Sequence, residues 1–177
     1  MKLHKYLLLI ITFGTLTACS NDDEIQPIID NTPPPSSTEM SGRYILTSFT
    51  VPEQVDLNQD GVASYNLMDE SECYLETEIM LNEDMTFTAF DGSVLFASES
   101  GCVTEERTGH WQVSGDTLTL SAQMMDGLVL DIEYTFDGNE IYKSSPEATY
   151  PNYDDMGNQI YATGNVNLTY VKVEEED

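Results

Sequence analysis

Asp56-Leu57-Asn58-Gln59-Asp60-Gly61 sets oxygen-bearing side chains at alternate positions and closes them with a glycine. That spacing aims the oxygens of Asp56, Asn58 and Asp60 at one point, and the glycine permits the sharp turn, which is how a loop opens around Ca²⁺. The twelfth position of such a loop carries a bidentate Glu, and here it holds Leu67. Asp69 and Glu70 follow two and three residues later and complete a ligand set only if the loop is longer. The same residues also form a solvated Asx turn without any ion, so calcium site and plain turn both stand as readings. Other chemistry finds little support. His110 sits beside Trp111 in a strand-like context that favours a structural role, no Gly-rich phosphate loop leads from a strand into a helix, and no Cys or His spacing suits zinc. Paired carboxylates are plentiful, and nothing selects one pair for glycosidic work.

The charge balance limits the partners. Six Lys and Arg face 32 Asp and Glu over 177 residues, a formal net charge of −26. Phosphate contacts need clustered cations, so a nucleic-acid partner is excluded, and docking on anionic lipid through a basic surface is disfavoured. Ten Tyr, six Phe and one Trp supply apolar surface for a core, against global disorder.

The first residues read as an address. Met1-Lys2-Leu3-His4-Lys5 is a basic head, and the apolar run from Tyr6 to Thr17 is shorter than the ~20 residues a membrane-spanning helix needs. Residues 1–18 therefore read as a cleavable export signal. Leu16-Thr17-Ala18-Cys19 resembles the lipobox of bacterial lipoproteins, which implies acylation of Cys19 and a membrane anchor through it. Loss of residues 1–18 removes Lys2 and Lys5, leaving four basic against 32 acidic residues, or −28. Ser20-Asn21-Asp22-Asp23-Glu24 resembles the acidic signal of Bacteroidetes-type lipoproteins exported to the outer face of the outer membrane, so the expected location is the bacterial cell surface.

Residues 19–40, with Pro27, Pro33-Pro34-Pro35 and Ser36-Ser37-Thr38, read as an extended tether, and one domain is expected over residues 41–177. Its signal is β. Leu118, Leu120, Ala122 and Met124 alternate with polar residues, and so do Leu128, Leu130, Ile132, Tyr134 and Phe136; Leu75, Thr77, Ile79 and Leu81 make a third row. Asp91-Gly92, Gly115-Asp116, Asp126-Gly127 and Asp137-Gly138 read as turns between strands. The stretch from Ser145 to Asp155, with Pro146, Tyr150, Pro151 and Tyr153, reads as a long loop at one end of the fold. The rhythm is that of an all-β meander: a small antiparallel up-and-down barrel or, alternatively, a β-sandwich.

Gly42-Arg43-Tyr44 resembles the Gly-x-Trp first-strand motif of lipocalins, with Tyr in the place of Trp. Gly109-His110-Trp111-Gln112-Val113-Ser114-Gly115-Asp116-Thr117-Leu118-Thr119-Leu120 looks like the middle hairpin of lipocalin-like lipoproteins, and residues 56–87 are similar to the same group. The resemblance covers nearly all of residues 41–173. It implies a barrel of about eight strands, no catalysis, and a small apolar or amphipathic ligand held against the inward row Leu128, Leu130, Ile132, Tyr134 and Phe136. A filled barrel acting as a surface interaction module, which takes a protein or glycan on its Tyr-rich loop, is the alternative. With Cys19 acylated, Cys73 and Cys102 are expected to pair as a disulfide in an oxidising compartment, against two free thiols.

Overall fold

The computed structural model describes residues 36–96, 101–124 and 127–174. Residues 1–18, expected to be an export signal, Cys19 and the part of the expected tether up to residue 35 lie outside the described residues. A one-turn helix, α1 (Ser37–Met40), is capped by the Ser36 hydroxyl, which accepts from the Glu39 amide. Nine strands follow among the described residues: β1 (Gly42–Val55), β2 (Ser64–Asn66), β3 (Glu78–Leu81), β4 (Thr86–Leu95), β5 (Gly101–Ser114), β6 (Thr117–Gln123), β7 (Val129–Asp137), β8 (Glu140–Tyr153) and β9 (Gln159–Val173). β6 shows how pattern becomes structure: Leu118, Leu120 and Ala122 are buried, while the polar residues between them face the other way.

β1 and β3 to β9 pair in chain order, every neighbour antiparallel, and β9 returns to β1 through pairs such as Leu46↔Tyr170 and Phe49↔Leu168. The sheet is therefore a closed eight-stranded barrel with β2 added beside β1, and closure excludes the sandwich. Tyr44, standing where the lipocalin motif has Trp, is buried, and its hydroxyl donates to the Met40 carbonyl at 2.9 Å. Phe87, Trp111, Leu118, Leu120 and Ile141 are buried in the same core, and the Trp111 indole donates to the Asn82 carbonyl at 3.0 Å.

Closure is uneven along the barrel axis. β5 pairs with β6 only from Gly109↔Ala122 to Ser114↔Thr117, leaving residues 101–108 with β4 alone. β7 pairs with β8 only between Thr135–Asp137 and Glu140–Tyr142, so most of β8 has β9 on one side only. The hairpins β4–β5 and β8–β9 thus outreach the short β6–β7 hairpin.

Several local expectations change. Ser145 to Tyr153 is strand, not loop: it continues β8, with Tyr150 and Pro151 buried. Pro is tolerated there because Pro146 falls in the register break between Ser145 and Ala148, and because this stretch of β8 lacks a ladder toward β7 that would need the missing N–H. Asp91-Gly92 is no turn but the middle of β4. A Cβ on Gly92 would lie 2.0 Å from the Cys73 carbonyl oxygen, so the glycine serves a close approach of backbone to backbone. Leu75 is exposed and precedes β3, which starts at Glu78.

The close approach belongs to the disulfide. Cys73 lies in a 3₁₀ turn (Glu72–Tyr74) and Cys102 lies on β5; the two are bonded with a Cα separation of 5.0 Å. The bond ties the turn to the β5 segment that has no β6 neighbour.

Candidate functional site

Five strands each bring one polar side chain to the middle of the barrel. Directly opposed residues on neighbouring strands share a face, so register fixes their direction. Arg107 on β5 stands opposite buried Ala89, and Tyr134 on β7 opposite buried Leu118. Lys143 on β8 faces Leu168 across its ladder, and Tyr170 on β9 faces Leu46 and Ile141. Asp91 lies two residues beyond Ala89 on the same face of β4. All five point inward.

Their contacts form one cluster. Arg107 Nη1 pairs with Asp91 Oδ2 at 2.8 Å, and Arg107 Nη2 with Glu105 Oε2 at 3.0 Å. Lys143 Nζ lies 5.6 Å from the centroid of the Tyr134 ring, a cation–π placement, and the Tyr134 and Tyr170 rings meet edge-to-face at 6.0 Å. Asp91 and Tyr170 also line a small internal cavity of about 60 Å³ together with Leu46, Phe49 and Tyr74. Among the described residues the Tyr134 and Tyr170 hydroxyls make no hydrogen bond to the protein. Among the described residues no fully buried side-chain oxygen or nitrogen lacks a partner, so neither hydroxyl is completely sealed.

Burial governs the titration of the cluster. It pushes the Asp91 carboxyl above its ordinary value, against the pull of Arg107 and Lys143. It lowers the Lys143 ammonium, with Asp91 opposing and Arg107 reinforcing the shift. Burial also holds the Tyr134 and Tyr170 phenols far above theirs, so both stay protonated donors at neutral pH.

The way in is the place where the wall parts. Beyond Gly109↔Ala122 a cleft of about 470 Å³ opens, lined by residues 105–108 of β5 and by Ala122, Gln123 and Met124. Arg107 belongs to both cleft and inner cluster. The β6 side continues into β7, where Leu130 pairs with Ala122 and Val129 with Gln123, and both are exposed. The cleft thus has a mixed lining, with Glu105, Glu106, Arg107 and Thr108 on the β5 side facing Ala122, Gln123 and Met124.

A model of the lipocalin-like domain family matches residues 40–155, from the end of α1 through the end of β8. The chain belongs to the lipocalin-like domain family. No curated protein and no solved structure matches it. In this lipocalin-like barrel the row expected to hold the ligand divides. Ile132 and Tyr134 are buried, at 9% and 6% exposure, and Phe136 packs on the core. Leu128 and Leu130 are exposed, at 66% and 40%. The strand leaves the closed wall there, so the same row runs from the filled interior out to the rim.

Of the residues of the calcium reading, Asp56 and Asn58 meet at the Asp60 amide and Asn58 Nδ2 donates to Asp60 Oδ2 at 3.3 Å, while Asp69 and Glu70 take other partners. Asp56 accepts from the Asp60 and Gly61 amides through its two oxygens, each at 3.0 Å, and Asn58 Oδ1 accepts from the Asp60 amide at 2.9 Å. Asp60 Oδ1 accepts from the Val62 amide at 2.8 Å, while Gln59 and Gly61 adopt positive φ. Asp69 turns away to accept from the Ser64 hydroxyl, and buried Glu70 braces the loop by accepting from the Leu57 amide at 3.0 Å. Among the described residues no three His, Cys, Asp or Glu side chains gather as metal ligands. The loop's own amides hold its shape, so the melting temperature of the purified domain should not change between millimolar Ca²⁺ and excess chelator. A calcium-dependent rise of several degrees would favour the ion-binding reading over the plain turn.

Sequence reasoning missed Asp91, Arg107 and Lys143. Residues 41–177 hold four basic side chains, Arg43, Arg107, Lys143 and Lys172. Two of them sit on inward parity, Arg107 four residues before Trp111 and Lys143 two after Ile141, and that was the available signal. Taking Asp91-Gly92 as a turn hid the third member.

Proposed function

We propose that this lipocalin-like barrel is a non-catalytic binding module for a small apolar or amphipathic molecule, held at the outer membrane, on the cell surface, by acyl chains on Cys19. The observation that carries the binding reading is the cleft of about 470 Å³ where β5 leaves β6, with Ala122 and Met124 on one side and Arg107 flanked by Glu105 and Glu106 on the other. Its volume falls in the range of small-molecule sites, roughly 300–1,000 Å³. Family membership supports binding over catalysis, and the anchor rests on the lipobox-like Leu16-Thr17-Ala18-Cys19.

The test uses the uncharged probe N-phenyl-1-naphthylamine with the oxidised protein. Fluorescence should rise on titration with saturable, micromolar binding. Met124→Trp, which fills the cleft from an exposed position, should weaken the probe by about tenfold or more, about 1.4 kcal/mol, while circular dichroism stays that of the parent. A parent that takes up no probe moves the assignment to a surface interaction module. In the producing cells, radiolabelled palmitate should enter the parent and not Cys19→Ser, and external protease should reach the parent alone.

A further inference from the structure

We propose that the free side of β5 is a second binding surface, which takes an extended segment of another protein as an added antiparallel strand, one in which Lys or Arg alternates with apolar residues. It needs no small-molecule ligand and goes beyond the function proposed above.

β4 and β5 keep an unbroken register from Thr86↔His110 to Leu95↔Gly101, and the Trp111 amide donates to the Met85 carbonyl at 2.8 Å. In an antiparallel pair the backbone groups of successive residues point to opposite sides. The odd-numbered residues of β5 therefore bond β4, and Cys102, Thr104 and Glu106 turn their N–H and C=O groups the other way. β6 takes up that side only from Gly109↔Ala122 onward, so among the described residues these groups have no ladder partner. Residues 101–106 are all exposed. A bare row of donors and acceptors is a template for one more strand, and β6, which covers the same side of β5 lower down, is antiparallel to it. β8, the other strand with a long unpaired side, carries Pro146 and Pro151, which blunt an edge; residues 101–108 hold no proline.

Charge selects the occupant. Glu106 makes no ion pair or side-chain hydrogen bond among the described residues, and Glu105 shares the Arg107 guanidinium with Asp91. A second copy would set two chains of net charge −26, and two Glu105-Glu106 pairs, against each other. Residues 20–35 of the same chain bring Asp22, Asp23, Glu24 and Asp30 without one Lys or Arg. A basic strand meets attraction where both of these meet repulsion. Directly opposed residues share a face, so guest residues opposite Thr104 and Glu106 point outward and carry the cations. Those between them point inward, beside the end of β6 at Ala122 and Met124, and are apolar.

The test titrates the oxidised protein into a rhodamine-labelled peptide, Lys-Val-Lys-Val-Lys-Val-Lys with blocked ends, and reads anisotropy. The buffer holds about 0.15 M NaCl, which screens exposed charges more than about 8 Å apart. Binding should saturate at micromolar protein, and the matching Glu-Val peptide should not bind. In the proposed register the lysine amides face β5 and the valine amides point away. N-methylation of the lysine amides should therefore weaken binding at least tenfold, while N-methylation of the valine amides should leave it within about twofold. Thr104→Pro removes one edge N–H without touching the β4 ladder, and should weaken the peptide about tenfold with circular dichroism unchanged. Glu106→Lys should weaken it as much by reversing the charge. Absence of saturable binding, equal affinity of the two methylated peptides, or full affinity of both protein variants overturns the assignment. Uptake of N-phenyl-1-naphthylamine is measured separately, so failure here leaves the small-molecule reading standing.

Discussion

Trp111→Ala should lower the unfolding free energy by about 4 kcal/mol, within the ~3–5 kcal/mol range of buried Trp or Phe truncations. Trp111 is buried in the core that also holds Phe87, Leu118 and Leu120, and it pairs with Leu120 across the β5–β6 ladder, so neighbours held by sheet hydrogen bonds cannot collapse into the space it leaves. The substitution also strips the Asn82 carbonyl of its indole donor at 3.0 Å, a loss of about 1 kcal/mol. In urea, read by far-ultraviolet circular dichroism because the chain has a single Trp, the midpoint should fall by about 2 M. Trp111→Phe separates the two contributions: it restores most of the packing, loses the donor, and should cost less than half as much. A loss below about 1 kcal/mol for the alanine variant would mean that the barrel's end is not packed around this side chain.

The second large effect is expected from the disulfide. Cys73 and Cys102 are 29 positions apart, and in the chain-entropy account a loop of that size restrains the unfolded chain by about 3.5 kcal/mol. Cys73→Ser with Cys102→Ser should therefore lower the melting temperature by about 10–15 °C. The parent in reductant should follow the variant, and adding reductant to the variant should change nothing. The loss has a local side too. The bond fixes the turn Glu72–Tyr74 over Gly92 and beside residues 101–108 of β5, which have β4 as their only ladder. Amide exchange should accelerate there more than on β6. A uniform acceleration would show that the bond acts on the unfolded chain alone.

The barrel was legible in the sequence where one face is buried and the other wet. Leu118, Leu120 and Ala122 carry an unbroken period of two because β6 packs on one side only, and the observed strand follows it residue for residue. The reading failed where tertiary neighbours override local chemistry. Pro146 and Pro151 signal a loop on their own, yet β8 accommodates them because β7 does not pair with it there. Asp91-Gly92 has the composition of a turn, and only the backbone of Cys73 crossing over it explains why a glycine stands in mid-strand. The inner cluster was hidden for a related reason. Asp91, Arg107, Tyr134, Lys143 and Tyr170 come from five strands, and no local spacing announces a site assembled by barrel closure. Part of it was within reach, since Tyr134 already stood in the inward row.

The ladder between β1 and β9 joins residues more than a hundred positions apart, as in Leu46↔Tyr170. Such a closure comes late, because the entropy of so long a loop is lost before any of its hydrogen bonds form, and barrels of this topology fold on a timescale of roughly milliseconds to seconds. Until β9 arrives, the free edges of β1 and β8 are open templates for strand addition by another copy. Because β9 is the last of the described strands, a chain emerging in order from its synthesis leaves those edges unprotected until that strand is complete. The arrival of this fifteen-residue strand is therefore what closes both edges to strand addition.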